Sequence, residues 1–489
     1  NNIINIIMSY SQNQVPDMLR SGAVDSNPFQ RIDTSILDPV VISDTFIRFN
    51  LENKGLLNPA SRITFSLKAV GQDAFFPMST GIGSIVSSSV LKIGGKTICS
   101  VQDFPFYHSY KSSFIEQEVN KERETFQSAR TMANEVINSI ANASATNLGS
   151  SLIGIDSGRE QTINFKVATA ADTTPTGNSQ LLSVLLVDNL PVYSIRLDEL
   201  VPCLKGVMLP TFMLKEEVQI ELQLTDLNAK RLSFAGNFTG GGSPNVVNCP
   251  INPSECQLIA DYTFLSGDAM DKFARDNSKL DYTFLEPRMT KTTLASAADA
   301  ANQIRNIGGA GRFVNKVFVS VSSDSAGAAS VPANASGNAF TLLNGYRSIA
   351  PAESGAVGSK TYTQLTSNIK KNDRFLYPID RKSSALHYHG VNDAEGAPIE
   401  CTRDMYARQG SSLTKDTFEG HHVDSNLSGQ YFHTAYRMND GERVNFRGLE
   451  LHNKLPNINA AELPLYQRVY IEVQKVMVID NGVVDSYYR

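Results

Sequence analysis

The stretch that decides the fold runs from Asp261 to Glu286, DYTFLSGDAMDKFARDNSKLDYTFLE. It holds a strand-like pentapeptide, a polar helical stretch, and then the same pentapeptide again. Tyr262 and Phe264 put aromatic side chains where a pleated sheet uses them. Ser266 stands where a helix N-cap belongs, and Met270, Phe273 and Ala274 follow at helical spacing, so a helix here is expected to bury them on one side. Asp281 to Leu285 then resumes strand character. One β unit ends here, crosses a short helical bridge over 266–280, and hands over to a second.

Strand patterns continue on both sides of this bridge. Upstream, Ile47, Phe49 and Leu51 alternate with Phe46, Arg48 and Asn50, and Ile63, Phe65 and Leu67 follow the turn-like Asn58-Pro59. Ile82 to Ile98 reads as a further pair of strands turning at Gly94-Gly95. The clearest alternation is Val218, Ile220, Leu222 and Leu224 against Gln219, Glu221, Gln223 and Thr225, a period of two that a helix does not produce. A lone strand is expected near Ile163 to Val167, inside small-residue loops spanning 142–178. Only Phe114 to Ile140 departs from this rhythm, with apolar residues at helical spacing. Downstream, Val314 to Val321, Tyr362 to Ile369, Phe375 to Ile379, Ala385 to Tyr388 and Tyr470 to Ile479 read as strands, and Asp480-Asn481-Gly482 as a turn.

The chain of 489 residues is long enough for two large sandwiches with full cores. The reading is all-β: two consecutive eight-stranded jelly-roll sandwiches, with short helices in loops and between the barrels. The expected division is an N-terminal arm over 1–38, a first sandwich over 39–265, the connecting helix over 266–280 and a second sandwich over 281–489. The arm is polar and punctuated by Pro16 and Pro28. Charged residues make up 19% of the chain, which fits a protein whose surface is partly covered by partners. A net charge of −5 gives no electrostatic reason to expect specific nucleic-acid binding. No apolar run approaches the roughly 20 residues of a membrane span, and the N-terminal NNIINIIMSYSQ lacks the basic region of a signal peptide. The chain therefore reads as soluble and made inside a cell, with Met8 a candidate initiator.

Several patterns imitate chemistry. Gly94 to Thr97, GGKT, lacks the glycine a phosphate loop needs at position 90, where Val90 stands, and a strand rather than a helix follows it. His387 and His389 form an H-x-H that would share one face of a strand, with His421, His422 and His433 further on. No third ligand sits at a fixed short spacing, so a surface or subunit seam accounts for them. Gathered at such a seam, they would make assembly respond to acid near about pH 6. The acidic pairs Asp198-Glu199 and Glu216-Glu217, and the run Glu116 to Glu124, read as solvated surface rather than a glycosidase pair. No G-x-S-x-G elbow occurs. The five cysteines, Cys99, Cys203, Cys249, Cys256 and Cys401, form neither a disulfide framework nor a zinc site, though Cys249 and Cys256 are spaced to bridge a loop. Asn142, Asn237, Asn334 and Asn426 lie in glycosylation sequons suited to loops. No catalytic, cofactor-binding or metal-ligating residue is assigned.

Four stretches carry a family resemblance. FIRFNLENKGLLNPASRITFSL, from Phe46 to Leu67, looks like the opening strands of a jelly roll with their Leu-x-Pro-x-Ser turn. VLKIGGKTICSVQDF, ending at Phe104, is similar to the hairpin that follows them and the approach to a helix. LIADYTFLSGDAMDKFA, starting at Leu258, resembles the last strand of a first barrel with its exit helix. YIEVQKVMVIDNGVV, starting at Tyr470, is similar to a closing strand. In their order and spacing these resemble the double jelly-roll major capsid proteins of double-stranded DNA viruses, of the kind found in polinton-like viruses, virophages and nucleocytoplasmic large DNA viruses.

The resemblance implies a structural subunit of the virion and not an enzyme. It implies a homotrimer forming a pseudo-hexameric capsomer, with neighbouring capsomers, penton and minor capsid proteins as partners. The loops over 142–178 and 322–360 show no likeness and would be outward-facing insertions, and the N-terminal arm would tie neighbours together along the inner face. Two other classes share the fold reading. A carbohydrate-binding or adhesin-like β-sandwich would not need the paired halves, and a jelly-roll hydrolase would need a clear carboxylate pair.

Overall fold

The computed structural model describes residues 31–66, 73–75, 80–112, 127, 164–166, 192–225, 233–235, 245–247, 251, 253–323, 365–382, 384–395, 434–438, 441–455 and 465–489. In the N-terminal half the strands are β1 (Arg31–Leu37), β2 (Val41–Ile42), β3 (Phe46–Leu51), β4 (Leu56–Leu57), β5 (Arg62–Ser66), β6 (Asp73–Phe75), β7 (Val86–Ile93) and β8 (Lys96–Gln102). They continue as β9 (Asn164–Lys166), β10 (Val192–Arg196), β11 (Val218–Leu224), β12 (Ser233–Ala235), β13 (Asn245–Val247) and β14 (Gln257–Phe264). The C-terminal half holds β15 (Lys279–Leu294), β16 (Gln303–Gly308), β17 (Val314–Ser323), β18 (Thr366–Lys371) and β19 (Arg374–Phe375). It closes with β20 (Thr434–Arg437), β21 (Leu449–Lys454), β22 (Leu465–Asp480) and β23 (Val483–Tyr488). The helices are α1 (Phe104–Ser112), α2 (Leu197–Leu200), α3 (Gly267–Asp276), α4 (Ala297–Ala301) and α5 (Ser384–Glu395).

The wiring of the two halves is the same. In the first half, β1, β3, β5, β7, β8, β10, β11 and β14 are the principal strands in chain order. They form one sheet in the order β1-β14-β5-β10 and another that contains β3-β11-β7-β8. Counted from the first to the eighth, these orders are 1-8-3-6 and 2-7-4-5. In the second half, β15 to β22 form β15-β22-β17-β20 and β16-β21-β18-β19, again 1-8-3-6 and 2-7-4-5. All these pairings are antiparallel. Each half is a jelly-roll sandwich.

Period-two patterning explains why these segments are strands. Ile47, Phe49 and Leu51 of β3 and Val218, Ile220, Leu222 and Leu224 of β11 point into the first core, where Ile63 and Phe65 of β5 meet them. The hairpin turns have the chemistry their geometry needs. Gly94 (φ 59°) and Gly95 (φ 77°) join β7 to β8, and Asn481 (φ 51°) with Gly482 (φ 83°) joins β22 to β23. Two successive left-handed residues match the twist of the strands they connect. The repeated pentapeptide falls at the end of β14 and within β15, with α3 between them. Phe273 of α3 is buried beside Phe212, ring centroids 6.0 Å apart, while Met270 and Ala274 are only half-buried. Ser266 occupies the N-cap, but its carbonyl accepts from the Met270 amide and its hydroxyl makes no cap bond.

Four expectations need correction. Residues 31–37 are not part of an arm: they form β1, paired with β14 along its whole length. The pattern misled because this edge strand turns Ile32 and Ile36 outward and its polar Asp33 and Ser35 inward. Ala385 to Tyr388 is not a strand but the first part of α5, whose buried His387 and Val391 are four residues apart. Phe375 to Ile379 is strand only at its start, because Pro378 cannot donate to a ladder. Asp198 and Glu199 lie in α2 rather than a strand, and Arg196 grips the Asp198 carboxylate through Nε and Nη2 at 3.0 and 2.7 Å. The helical stretch from Phe114 to Ile140 lies outside the described residues apart from Gln127, as do residues 1–30.

Candidate functional site: the seam between the sandwiches

The second sandwich is joined to the first through β22. A typical strand buries one face, but β22 is buried on both from Gln467 to Val473. Val469, Ile471 and Val473 fill the second core. Arg468, Tyr470 and Glu472 point the other way, onto α1 of the first sandwich. At 16 residues the strand is about 53 Å long, enough to outrun its own sandwich. Its far end carries Met477 and Ile479 into the core of the first sandwich.

α1 supplies an aromatic and a cationic flank. Its sequence FPFYHSYKS sets Phe106, Tyr107, Tyr110 and Lys111 along one side. The Tyr110 ring stacks on Phe318 of β17, centroids 3.8 Å apart and nearly parallel, and Phe318 stacks in turn on Tyr470 at 4.8 Å. The Arg468 guanidinium lies 3.5 Å from the Phe106 ring centroid and donates through Nε to Asp103 Oδ2 at 2.9 Å. The Tyr470 hydroxyl donates to the Asp103 carbonyl at 3.0 Å. Aromatic stacking and cation–π contacts of this kind gain strength when water is excluded.

A charge quartet closes the seam. Lys111 Nζ meets Glu472 at 2.6 Å and Glu395 at 3.6 Å, and Lys316 Nζ meets Glu395 at 2.7 Å and Glu472 at 3.7 Å. Two lysines and two glutamates from α1, β17, α5 and β22 thus alternate with no net charge. The Tyr107 and Tyr110 hydroxyls donate to Glu472 (3.3 Å) and Glu395 (2.8 Å). Burial by itself would raise the Glu472 carboxyl, but Lys111 and Lys316 outweigh it and hold the group below the ordinary carboxylate range. Burial likewise works against the charge on Lys111, yet Glu395 and Glu472 keep its ammonium well above the usual lysine value. The Tyr107 and Tyr470 phenols are pushed up, chiefly by burial.

A second set of bonds fixes the far end. Buried Lys475 donates to the Ile98 carbonyl of β8 at 2.5 Å and to Glu286 at 3.2 Å. The β22–β23 turn seats on the loop before β11, with the Lys215 amide donating to the Gly482 carbonyl (2.9 Å) and the Val484 amide to Glu216 Oε2 (3.0 Å). Glu216 is therefore a structural acceptor, and Glu217 accepts from Asn50 and Gln219. Buried ion pairs contribute little net stability, but they demand one geometry. With aromatic stacking beside them, they hold the two sandwiches at one relative orientation.

The other sequence candidates fall elsewhere. His387 and His389 are two positions apart on a helix and do not share a face. The His387 ring is buried, bonded to Thr434 Oγ1 (2.9 Å) and the Leu365 carbonyl (2.6 Å), and burial pulls it down to about 4. It is uncharged near pH 6, so it cannot carry the acid response expected there. His421, His422 and His433 lie outside the described residues, as do the four sequons, Cys249 and Cys401. Among the described residues no group of three or more His, Cys, Asp or Glu is placed to hold a metal ion. Cys99, Cys203 and Cys256 are buried free thiols, so Cys256 does not bridge to Cys249. GGKT is the β7–β8 turn, followed directly by strand. Sequence reading missed the seam itself. Its one local signal is the run RVYIEV over 468–473, where charged and aromatic residues occupy the face that an ordinary half-buried strand gives to water.

The wiring 1-8-3-6 with 2-7-4-5, present twice in one chain, defines a double jelly-roll protein. No protein-family model and no curated protein sequence matches the chain. Solved structures do match in fold. VP54 of PBCV-1, in the crystal structure fitted into a cryo-EM reconstruction of the virophage Sputnik, is similar with a TM-score of 0.55 and 12% identity, over 96% of this chain and 100% of that one. A chain of the quasi-atomic model of the PBCV-1 virus capsid is similar with a TM-score of 0.54 and 12% identity, over the same shares of the two chains. The likeness spans both sandwiches, so the fold shared with these double jelly-roll capsid proteins is the complete one.

Proposed function

We propose that this protein is a major capsid protein, a structural subunit rather than an enzyme. Three copies close into a trimer with a six-sided outline, and these capsomers build an icosahedral shell around a double-stranded DNA genome. The observation that carries the reading is the identical wiring of two sandwiches held at one angle by a buried seam. Two similar wedges per chain let three chains present six wedges, which tile a surface as hexagons do. A ring of identical subunits closes through head-to-tail contacts, so each chain needs two different, complementary flanks. Permanent interfaces of this kind bury more than about 2,000 Å². Contacts between capsomers can then be individually weak, because many act together in a closed shell. The end-to-end likeness in fold to VP54 and to the PBCV-1 capsid chain supports the same reading.

Native mass and low-resolution imaging test it. A stable particle of three times 53.4 kDa with a six-sided outline is expected. A monomer at high concentration that hydrolyses a glycan would overturn the proposal.

A further inference from the structure

The seam inside the chain indicates what covers a second, open face. In the second sandwich, the outer face of its eighth, first and third strands (β22, β15, β17) lies under the fifth strand of the first sandwich and the residues that follow it, β8 and α1. The topological twin of that covered face is the outer face of β14, β1 and β5. The register places Ile36 opposite Ile259, Thr34 opposite Asp261 and Ile32 opposite Thr263. Since Leu258, Ala260 and Tyr262 point into the core, Ile259, Asp261 and Thr263 and their partners point out. On this face Ile32 is 64% and Ile36 62% exposed. The twin of the covering element is β19 with the residues after it. Phe375 is 52% and Ile379 69% exposed there, where Phe104 and Phe106, following β8, are buried. Exposed Arg374 and Lys382 flank the second patch, and Asp38 and Asp261 border the first, so the charges are opposite.

We propose that the β19 end of the second sandwich, through Phe375 and Ile379, seats on the Ile32–Ile36 face of the first sandwich in a second copy of this chain. This repeats between chains the relation that the seam makes within one. The inference rests on the capsid-subunit reading above and assigns its two flanks. A contact that joins unlike faces leaves one of each unused at the ends of any open chain, and only a ring satisfies all of them.

The test uses the full chain with Ile32→Asp/Ile36→Asp as one variant and Phe375→Asp/Ile379→Asp as the other, each checked for an unchanged unfolding transition. All four side chains are more than half exposed, so the fold does not need them. Wild type is expected at three times the chain mass and each variant at one. An equimolar mixture of the two variants retains one intact pair of faces and is expected at twice the chain mass. Independently, Ile36→Cys/Phe375→Cys treated with a flexible bis-maleimide is expected to cross-link between chains up to a closed trimer, with wild type as the uncross-linked control. A trimeric wild type with either aspartate variant still trimeric overturns the assigned faces and leaves the capsid reading standing. Monomeric variants whose mixture does not dimerise overturn the head-to-tail pairing. A wild type that remains monomeric sinks both readings.

Discussion

Replacing Glu472 with Gln should loosen the seam by an amount that the quartet geometry sets. The change leaves Lys111 and Lys316 with Glu395 as their shared carboxylate. Stripping one partner from a buried ion pair costs about 3–5 kcal/mol, because the remaining charge stays out of water. The Lys111 side chain is 25% exposed, so solvent screens its share, and the low end, about 3 kcal/mol, is expected. At about 2.1 cal/mol/K per residue, 489 residues unfolding together carry about 1 kcal/mol/K, so the midpoint should fall by about 3 °C. Lys111→Met should cost a similar amount by leaving two carboxylates with one lysine. The double variant keeps the 2.7 Å pair of Lys316 and Glu395 and no excess charge, so it should recover at least about 1 kcal/mol against the sum of the single changes. Calorimetry and denaturant unfolding of the four proteins measure this cycle. The acid limb adds a second readout. Because the folded Glu472 carboxyl is held below its unfolded value, its contribution is complete above the ordinary carboxylate range and is lost as pH falls through the lower folded value. Glu472→Gln should lack that part of the acid limb. Additive single changes, within about 0.5 kcal/mol, would refute the quartet as a coupled unit.

Other consequences are sharper but smaller in scope. His387 is buried uncharged, so the unfolded chain takes up a proton before the folded one does. Stability should therefore be full above about pH 6.5 and decline towards the folded value of about 4, and His387→Gln should remove that slope in a pH series of denaturation midpoints. Gly482→Ala and Gly95→Ala both place a side chain at positive φ. An added Cβ at 482 meets the Met213 carbonyl at 2.6 Å, whereas at 95 it meets nothing within 4 Å. Gly95→Ala should cost about 1 kcal/mol and Gly482→Ala clearly more, with equal losses contradicting a seated turn. Phe273→Ala removes the buried anchor of α3 and should cost about 3 kcal/mol, with faster amide exchange over 267–276.

Much of the architecture was legible because alternation is a direct record of one-sided burial. β3, β5, β11 and β17 stand where their apolar residues recur every second position, and both hairpin turns stand where Gly-Gly and Asn-Gly permit left-handed backbone. The repeat flanking α3 marks the handover between sandwiches. Reading failed where local pattern and tertiary setting disagree. In β1 the exposed Ile32 and Ile36 reverse the usual sense of burial. In α5 a four-residue alternation was too short to tell a strand from a helix, and the H-x-H read from it dissolved once the backbone coiled.

The amino-acid sequence thus determined that there are two β units, where they meet and which segments are strands, since those follow from period, propensity and turn chemistry within a few residues. Only the tertiary structure decided that Asp103 would hold Arg468, that Tyr110 would stack on Phe318 and that four charges from α1, β17, α5 and β22 would form one neutral cluster. Asp103 and Arg468 are 365 residues apart in the chain. Alternation says that a face is covered, but the covering surface comes from distant chain, and no local pattern encodes its identity.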